Sequence, residues 1–406
     1  MRFQSVVVLA LAALASARHS SKRSWYTRAG ANHHRALPHS NAKTTYATAI
    51  VDTNSTSPGA SGCGSNSSWT PDETGHVNVT MGERSFLVHV PATYDASRAH
   101  PLVLSFHGFK ANDVKQEEIT GFSAKGLTIN GTGLIAVYPN GAFGPGKTGD
   151  ESIRAWEGAP YAAPGVDDIT FVHDMVNALQ ANLCVDDKRM YASGKSNGGG
   201  FTNLLACTAS TASMFAAFAP VSAALYPNTL ATSSSCAPGR AVPIMNFHGL
   251  NDTIIPFKGQ AGDAKGDSAY ATPDIDSWRQ LWASRNAAFC TNGTTSNITV
   301  STKASMGPDG RIVAPKTKLA KSVSFPHKDT TLTTMLPNAC SAAGSTSSAA
   351  KASAAKEKTA AAVHGFSVLD LGHSWPSTKG LDGGVTSFNA TTANILPFFE
   401  SQVLGS

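Results

Sequence analysis

Residues 189–207 read Arg189-Met190-Tyr191-Ala192-Ser193-Gly194-Lys195-Ser196-Asn197-Gly198-Gly199-Gly200-Phe201-Thr202-Asn203-Leu204-Leu205-Ala206-Cys207. A short strand-forming run, a serine with glycine two positions away on either side, and an Ala/Leu-rich stretch able to form a helix satisfy the G-x-S-x-G pattern of a strained strand-to-helix turn. In such a turn the glycines let neighbouring backbone pass close by, and the serine hydroxyl projects from the sheet. The N-terminus of the helix behind it adds unpaired N–H groups that favour negative charge. Five residues alone also fit an ordinary Gly/Ser/Asn-rich loop, so their meaning rests on the flanking chain.

Towards the N-terminus, Pro101-Leu102-Val103-Leu104-Ser105-Phe106 and Leu134-Ile135-Ala136-Val137-Tyr138 are compact apolar runs of the kind buried on both faces of a central sheet. They stop at His107-Gly108-Phe109 and Pro139-Asn140-Gly141, with a polar helical stretch expected over 113–125. Residues 76–80 and 85–90 flank a turn and predict an antiparallel pair. Residues 166–179 place apolar side chains at helical spacing, and Asp167 or Asp168 caps the start. These paired aspartates read better as caps than as a metal or acid/base pair. Towards the C-terminus, 214–221, 242–247 and 363–371 are strand signals, while 278–288 and 388–403 are expected to be helical. Strands alternating with helices predict an α/β fold: a mainly parallel central sheet, helices on both faces, right-handed crossovers, and one decorated domain over 61–406.

Residues 1–17 have the form of a secretory signal peptide, with Arg2, an apolar core over 6–15 and a small-residue Ala15-Ser16-Ala17 site. The core is shorter than the roughly 20 residues needed to span a bilayer, so a secreted, extracellular protein without a membrane anchor is expected. Residues 18–60 read as a disordered leader or propeptide, rich in Ser, Thr, Ala and His. Export predicts that Cys63, Cys184, Cys207, Cys236, Cys290 and Cys340 form three disulfides, with the pairing open. N-glycosylation acceptors beginning at Asn54, Asn66, Asn78, Asn130, Asn251, Asn292, Asn297 and Asn389 agree with export. The formal charge of +5 is concentrated in the leader, where residues 18–51 contain bases and no acid. It is not a nucleic-acid signature. Residues 341–362 are low-complexity and read as an exposed insertion.

A serine hydroxyl is a poor nucleophile at neutral pH and needs a base held by a carboxylate. In α/β-hydrolases these follow the serine in the order acid, then histidine, each after a strand. The chain supplies His248-Gly249-Leu250-Asn251-Asp252 after one strand signal and Gly372-His373-Ser374-Trp375-Pro376 after the next. Ser196 is therefore expected as nucleophile, Asp252 as orienting acid and His373 as base. Asp370 lies inside a strand signal, Asp274 and Asp276 suit helix caps, and His248 and His364 suit structural turns. Backbone N–H groups of Asn197 and of Phe109, with Gly108 next in line, are expected to face an oxyanion. Trp156 and Trp375 are candidates for an aromatic substrate wall. No metal ligand set is apparent.

Taken together, His107-Gly108, the helix start at Val166-Asp167-Asp168, the glycine-flanked serine, His248-Gly249-Leu250-Asn251-Asp252 and Gly372-His373-Ser374-Trp375-Pro376 resemble secreted fungal feruloyl esterases of the carbohydrate esterase family 1 type. That group is related to poly(3-hydroxybutyrate) depolymerases and acetyl xylan esterases, and the similarity runs from about Cys63 to the C-terminus. It implies an α/β-hydrolase fold, hydrolysis of ferulate esters of plant cell-wall arabinoxylan through an acyl-enzyme, no cofactor, and the three residues just assigned. The low-complexity stretch ahead of the histidine loop departs from the pattern. Acetyl xylan or polyester substrates are the alternative within the same chemistry, and a non-catalytic binding protein is the alternative outside it.

Overall fold

The apolar runs around the serine become the middle of a single large sheet. The computed structural model describes residues 46–51, 62–65, 67–149, 152–230, 236–289, 305–306, 312–313, 320–336 and 362–405. The expected signal peptide, the first part of the leader, Cys290, Cys340 and nearly all of the low-complexity insertion lie outside the described residues.

Among the described residues the main sheet has 11 strands. In chain order they are β1 (Ala47–Val51), β2 (His76–Met81), β3 (Arg84–His89), β4 (His100–Phe106), β5 (Ile135–Pro139), β6 (Val185–Lys195), β7 (Ala217–Val221), β8 (Ile244–Gly249), β9 (Ala320–His327), β10 (Thr330–Leu336) and β11 (Val363–Val368). In space they run β1-β2-β3-β5-β4-β6-β7-β8-β11-β10-β9. The six from β5 to β11 in this spatial order are parallel neighbours, whereas β3 is antiparallel to both β2 and β5. Every residue of β4, β5, β7 and β8 is buried, which accounts for continuous rather than alternating apolar sequence.

Four of the helices pack against the two faces of this sheet: α1 (Asp113–Thr120), α2 (Asp168–Asn182), α3 (Asn197–Cys207) and α4 (Ile275–Ala288). On one face, Leu102, Leu104 and Phe106 of β4 belong to a cluster with Met175 and Leu179 of α2, Phe201 of α3 and Trp278 and Trp282 of α4. On the other, Val103, Tyr191 and Phe247 join Ile119 of α1 and Phe399 near the C-terminus. A mostly parallel sheet covered on both faces, with a serine on the turn from β6 to α3, is the α/β-hydrolase fold. From β4 the chain moves to one side of the sheet and from β6 to the other. The crevice beyond the carboxyl ends of these adjacent strands is therefore the topological switch point at which open α/β sheets bind ligands.

Local chemistry sets the boundaries. Asn112 accepts the Lys115 N–H at the start of α1, and Gly121 ends it in the left-handed conformation (φ 65°), short of the expected residue 125. Asp167 caps α2 through the Thr170 N–H, while the buried Asp168 pairs with Arg84 at 2.7 Å. The closing helix is shorter than expected, spanning a π turn at Thr391–Ile395 and then α5 (Leu396–Glu400). Pro397 has no N–H to continue an ordinary turn, and the Leu396 N–H reaches back to the Thr391 carbonyl.

β1 departs from the expectation of a leader without structure up to residue 60. Its residues alternate between half-buried and exposed and pair in parallel register with β2. A sheet edge offers unpaired backbone groups to any extended segment, so pairing there does not need an apolar sequence. Among the described residues two disulfides are present, Cys63–Cys184 and Cys207–Cys236. Among the described residues no helix is long and apolar enough to cross a membrane.

Candidate active site

Ser196 sits on the elbow between β6 and α3 with φ 56° and ψ −118°. Both of its backbone groups are held: its N–H donates to Val221 O at 3.0 Å, and its carbonyl accepts from Gly200 at 2.9 Å and Ala224 at 2.8 Å. The turn is possible only because its flanks lack side chains. A Cβ on Gly194 would meet the Gly198 carbonyl, and a Cβ on Gly198 would run into the Phe106 carbonyl at the end of β4.

The turn after β8 delivers Asp252. Its Oδ1 accepts the N–H groups of Ile254 at 2.9 Å and Ile255 at 2.8 Å. Its Oδ2 lies 2.8 Å from His373 Nδ1 and 3.4 Å from His248 Nε2. Burial alone would raise this carboxyl, but the bonds to His248 and His373 outweigh it and hold the group well below the usual carboxylate range. An ionised carboxylate only accepts, so Nδ1 of His373 carries the proton and donates it. The other ring nitrogen, Nε2, then accepts the Ser196 hydroxyl at 2.7 Å. The pKa of His373 is lowered, first by burial and further by the nearby Lys195, with Asp252 opposing both. At neutral pH the ring is thus neutral and able to take a proton.

The structure brings Ser196, Asp252 and His373 together and separates them from their sequence competitors. Asp370 lies in the exposed turn after β11 with φ 58°. Asp274 caps α4 through the Ser277 N–H, and Asp276 pairs with Arg279. His248 bonds the Ile255 carbonyl at 2.8 Å, closing the turn that carries Asp252. That second contact behind the carboxylate has no local signal in the sequence.

A cavity of about 380 Å³ opens over the serine, lined by Ser196, His373, Gly108, Phe109, Tyr161 and Tyr226 among others. Asn197 is the first residue of α3, so its N–H has no partner within the helix. Phe109 follows β4 on a loop fixed by His107, whose Nε2 accepts the Gly141 N–H at 3.0 Å and whose Nδ1 donates to Gly108 O at 2.7 Å.

The two tryptophans are not a substrate wall: both are fully buried and neither lines the cavity. Trp156 stacks on Phe201, donates its indole N–H to His107 O at 2.9 Å, and has its backbone N–H bound by Asn197 Oδ1 at 2.7 Å. It holds the loop after β4 to the start of α3. Trp375 lies on the opposite face of the sheet against Phe122, its indole bonded to Thr391. Large rings suit the core as well as they suit a binding wall, and sequence alone does not separate the two. The aromatic rings at the cavity are instead Phe109, Tyr161 and Tyr226, with centroids 4.6 Å apart for Phe109 and Tyr161 and 5.9 Å apart for the tyrosines. Among the described residues no cluster of His, Cys, Asp and Glu could hold a metal ion.

No protein-family model matches the chain. Among curated proteins, feruloyl esterase B of Piromyces equi is 30% identical over 176 residues, 43% of this chain and 30% of its own length. A probable feruloyl esterase C of Aspergillus terreus is 30% identical over 207 residues, 49% of this chain and 64% of its own. A bifunctional acetylxylan esterase/xylanase of Neocallimastix patriciarum is 29% identical over 178 residues, 44% of this chain and 23% of its own. The chain thus spans from 23% to 64% of the length of these relatives.

Proposed function

We propose that the chain is a secreted serine carboxylic ester hydrolase that releases feruloyl and related hydroxycinnamoyl groups from plant cell-wall arabinoxylan through an acyl-enzyme. The observation that carries the chemistry is the unbroken line from Asp252 to His373 at 2.8 Å and from His373 to Ser196 at 2.7 Å, opening into a cavity. In the proposed reaction Ser196 Oγ bonds to the acyl carbon as His373 Nε2 takes its proton, and Asp252 stabilises the resulting imidazolium. The N–H groups of Asn197 and Phe109 receive the negative charge on the carbonyl oxygen. Collapse breaks the bond to the sugar oxygen, which leaves with the proton from Nε2. A water then attacks the acyl-enzyme, gives a proton to the same nitrogen and frees the acid and the serine. Only these groups and water take part, so no cofactor is called for.

The acyl preference rests on the lining. Phe109, Tyr161 and Tyr226 give the cavity aromatic surfaces suited to a phenyl ring, and its volume falls within the range of small-molecule pockets. The names of the Piromyces and Aspergillus relatives point the same way. An acetyl ester of xylan is the second reading, favoured by the Neocallimastix relative. Export is supported by the two disulfides, which persist in oxidising compartments.

Covalent labelling by a fluorophosphonate tests the chemistry, with Ser196→Ala as the control expected not to label. A panel of methyl ferulate, an aryl acetate and a short polyester then tests the acyl group. Turnover of the acetate with none of ferulate would replace the first reading by the second, and the absence of labelling would favour a non-catalytic binding protein.

A further inference from the structure

We propose that Lys195 and Asp382 act as a positioning pair, tying the loop that carries His373 to the strand that carries Ser196. The inference rests on the reading of those two residues as base and nucleophile. Lys195 is the last residue of β6 and the immediate neighbour of Ser196. Its Nζ lies 2.9 Å from Asp382 Oδ2 and 3.1 Å from Oδ1. The same carboxylate accepts the Trp375 N–H at 2.8 Å, and the Asp382 carbonyl accepts the Ser374 hydroxyl at 2.7 Å. One residue thus grips both positions that follow His373 and links them to the elbow.

The tether has supports on two further elements. The Ser222 hydroxyl, just after β7, donates to Ser374 O at 3.1 Å. Lys115 of α1 donates to the Leu381 carbonyl at 3.1 Å. The ion pair itself is mostly buried, with the two side chains 13% and 14% exposed. Exposed pairs contribute little, but a pair withdrawn from water leaves a stranded charge when one partner is removed. His373 depends on this geometry because both of its ring nitrogens must meet their partners, Asp252 and Ser196, at once.

The pair also sets the field at the ring. The charged and titratable groups that act on His373 are the Asp252 carboxylate, the Lys195 ammonium and His248, and Asp382 is the partner of that ammonium. Loss of the ammonium makes protonation of His373 easier, whereas loss of the Asp382 charge leaves the ammonium unopposed and makes it harder. The two single variants should therefore move the acid limb of the pH profile in opposite directions, which a merely structural role would not do.

The test measures kcat, KM and the pH profile of kcat/KM on a neutral 4-nitrophenyl ester for the full chain carrying Lys195→Gln, Asp382→Asn, or Lys195→Met together with Asp382→Leu. Each single variant should lower kcat about tenfold with KM changed less than roughly twofold, within the cost of a misplaced reacting group. The acid limb should move to higher pH in Lys195→Gln and to lower pH in Asp382→Asn. The double variant strands no charge, so it keeps the assay meaningful if a single variant fails to fold, and it should lose no more kcat than either single change. Wild-type kcat in the double variant, or acid limbs that shift the same way, would overturn the pair. Failure of the underlying serine reading shows separately, as turnover by Ser196→Ala.

Discussion

Ser196 combines a left-handed backbone with a side chain, a conformation that costs on the order of 1–3 kcal/mol. Its three backbone bonds, to Val221, Gly200 and Ala224, hold it there. Ser196→Gly should therefore raise the thermal midpoint while abolishing ester hydrolysis, because relief of about 1–3 kcal/mol of strain exceeds the extra chain entropy glycine brings; calorimetry beside an ester assay checks both halves, and a lowered midpoint counts against stored strain. Asp252→Asn should reduce kcat by about 10⁴-fold, since an amide no longer fixes the donating tautomer of His373. The lowered pKa of His373 carries a sign as well. A protonated ring cannot take the serine proton, so kcat/KM is lost as pH falls through a value below the ordinary histidine pKa of about 6.5; half-loss above pH 7 would contradict it. Ser196, Asp252 and His373 were legible because each follows an apolar run and stands in a short motif. Lys195 lies inside the serine motif, yet its partner is 187 positions away in a Gly-rich stretch without periodicity, and no local pattern announces that contact.

For the elements, legibility followed burial. β4, β5, β7 and β8 are buried along their whole length and appear as unbroken apolar runs. β1 and β9 are the two edge strands of the sheet, where one side needs no partner and sequence is less constrained, and β10 lies one strand in from the edge. The hairpin of β9 and β10 pairs antiparallel beside β11, a reversal the alternation of strands and helices does not foretell. Packing between elements is close where α3 crosses the end of β4. Gly198→Ala would push a methyl group into the Phe106 carbonyl, so the helix must shift. The expected cost is about 1–3 kcal/mol, as for other overpacked sites, together with most of the activity, because the same helix start carries Ser196. Chemical denaturation and an ester assay on one preparation check this, and a stable, fully active variant would show that the elbow tolerates movement.

Across the whole molecule, three histidines outside the candidate triad, His107 buried and His89 and His364 half-buried, make stability depend on acid. Burial pushes His89, His107 and His364 down to about 4. Between that value and the unfolded pKa of about 6.5, the unfolded chain binds more protons than the folded one, so stability rises with pH across this window. The contribution of these groups is fully present above about pH 6.5 and is lost as the pH falls towards 4. The thermal midpoint should therefore drop over that interval, and replacing His364 by a neutral, non-titrating residue of similar shape such as Gln should flatten part of the slope. A midpoint unchanged between pH 6.5 and 4 would contradict this account. The spatial order of strands has a further result for synthesis. The candidate base follows the serine by 177 positions, and it reaches its place only once β11 has slotted between β8 and β10. Under the proposed mechanism, a nascent polypeptide carrying the hydroxyl alone would be chemically silent, an inert precursor until the last of these strands docks.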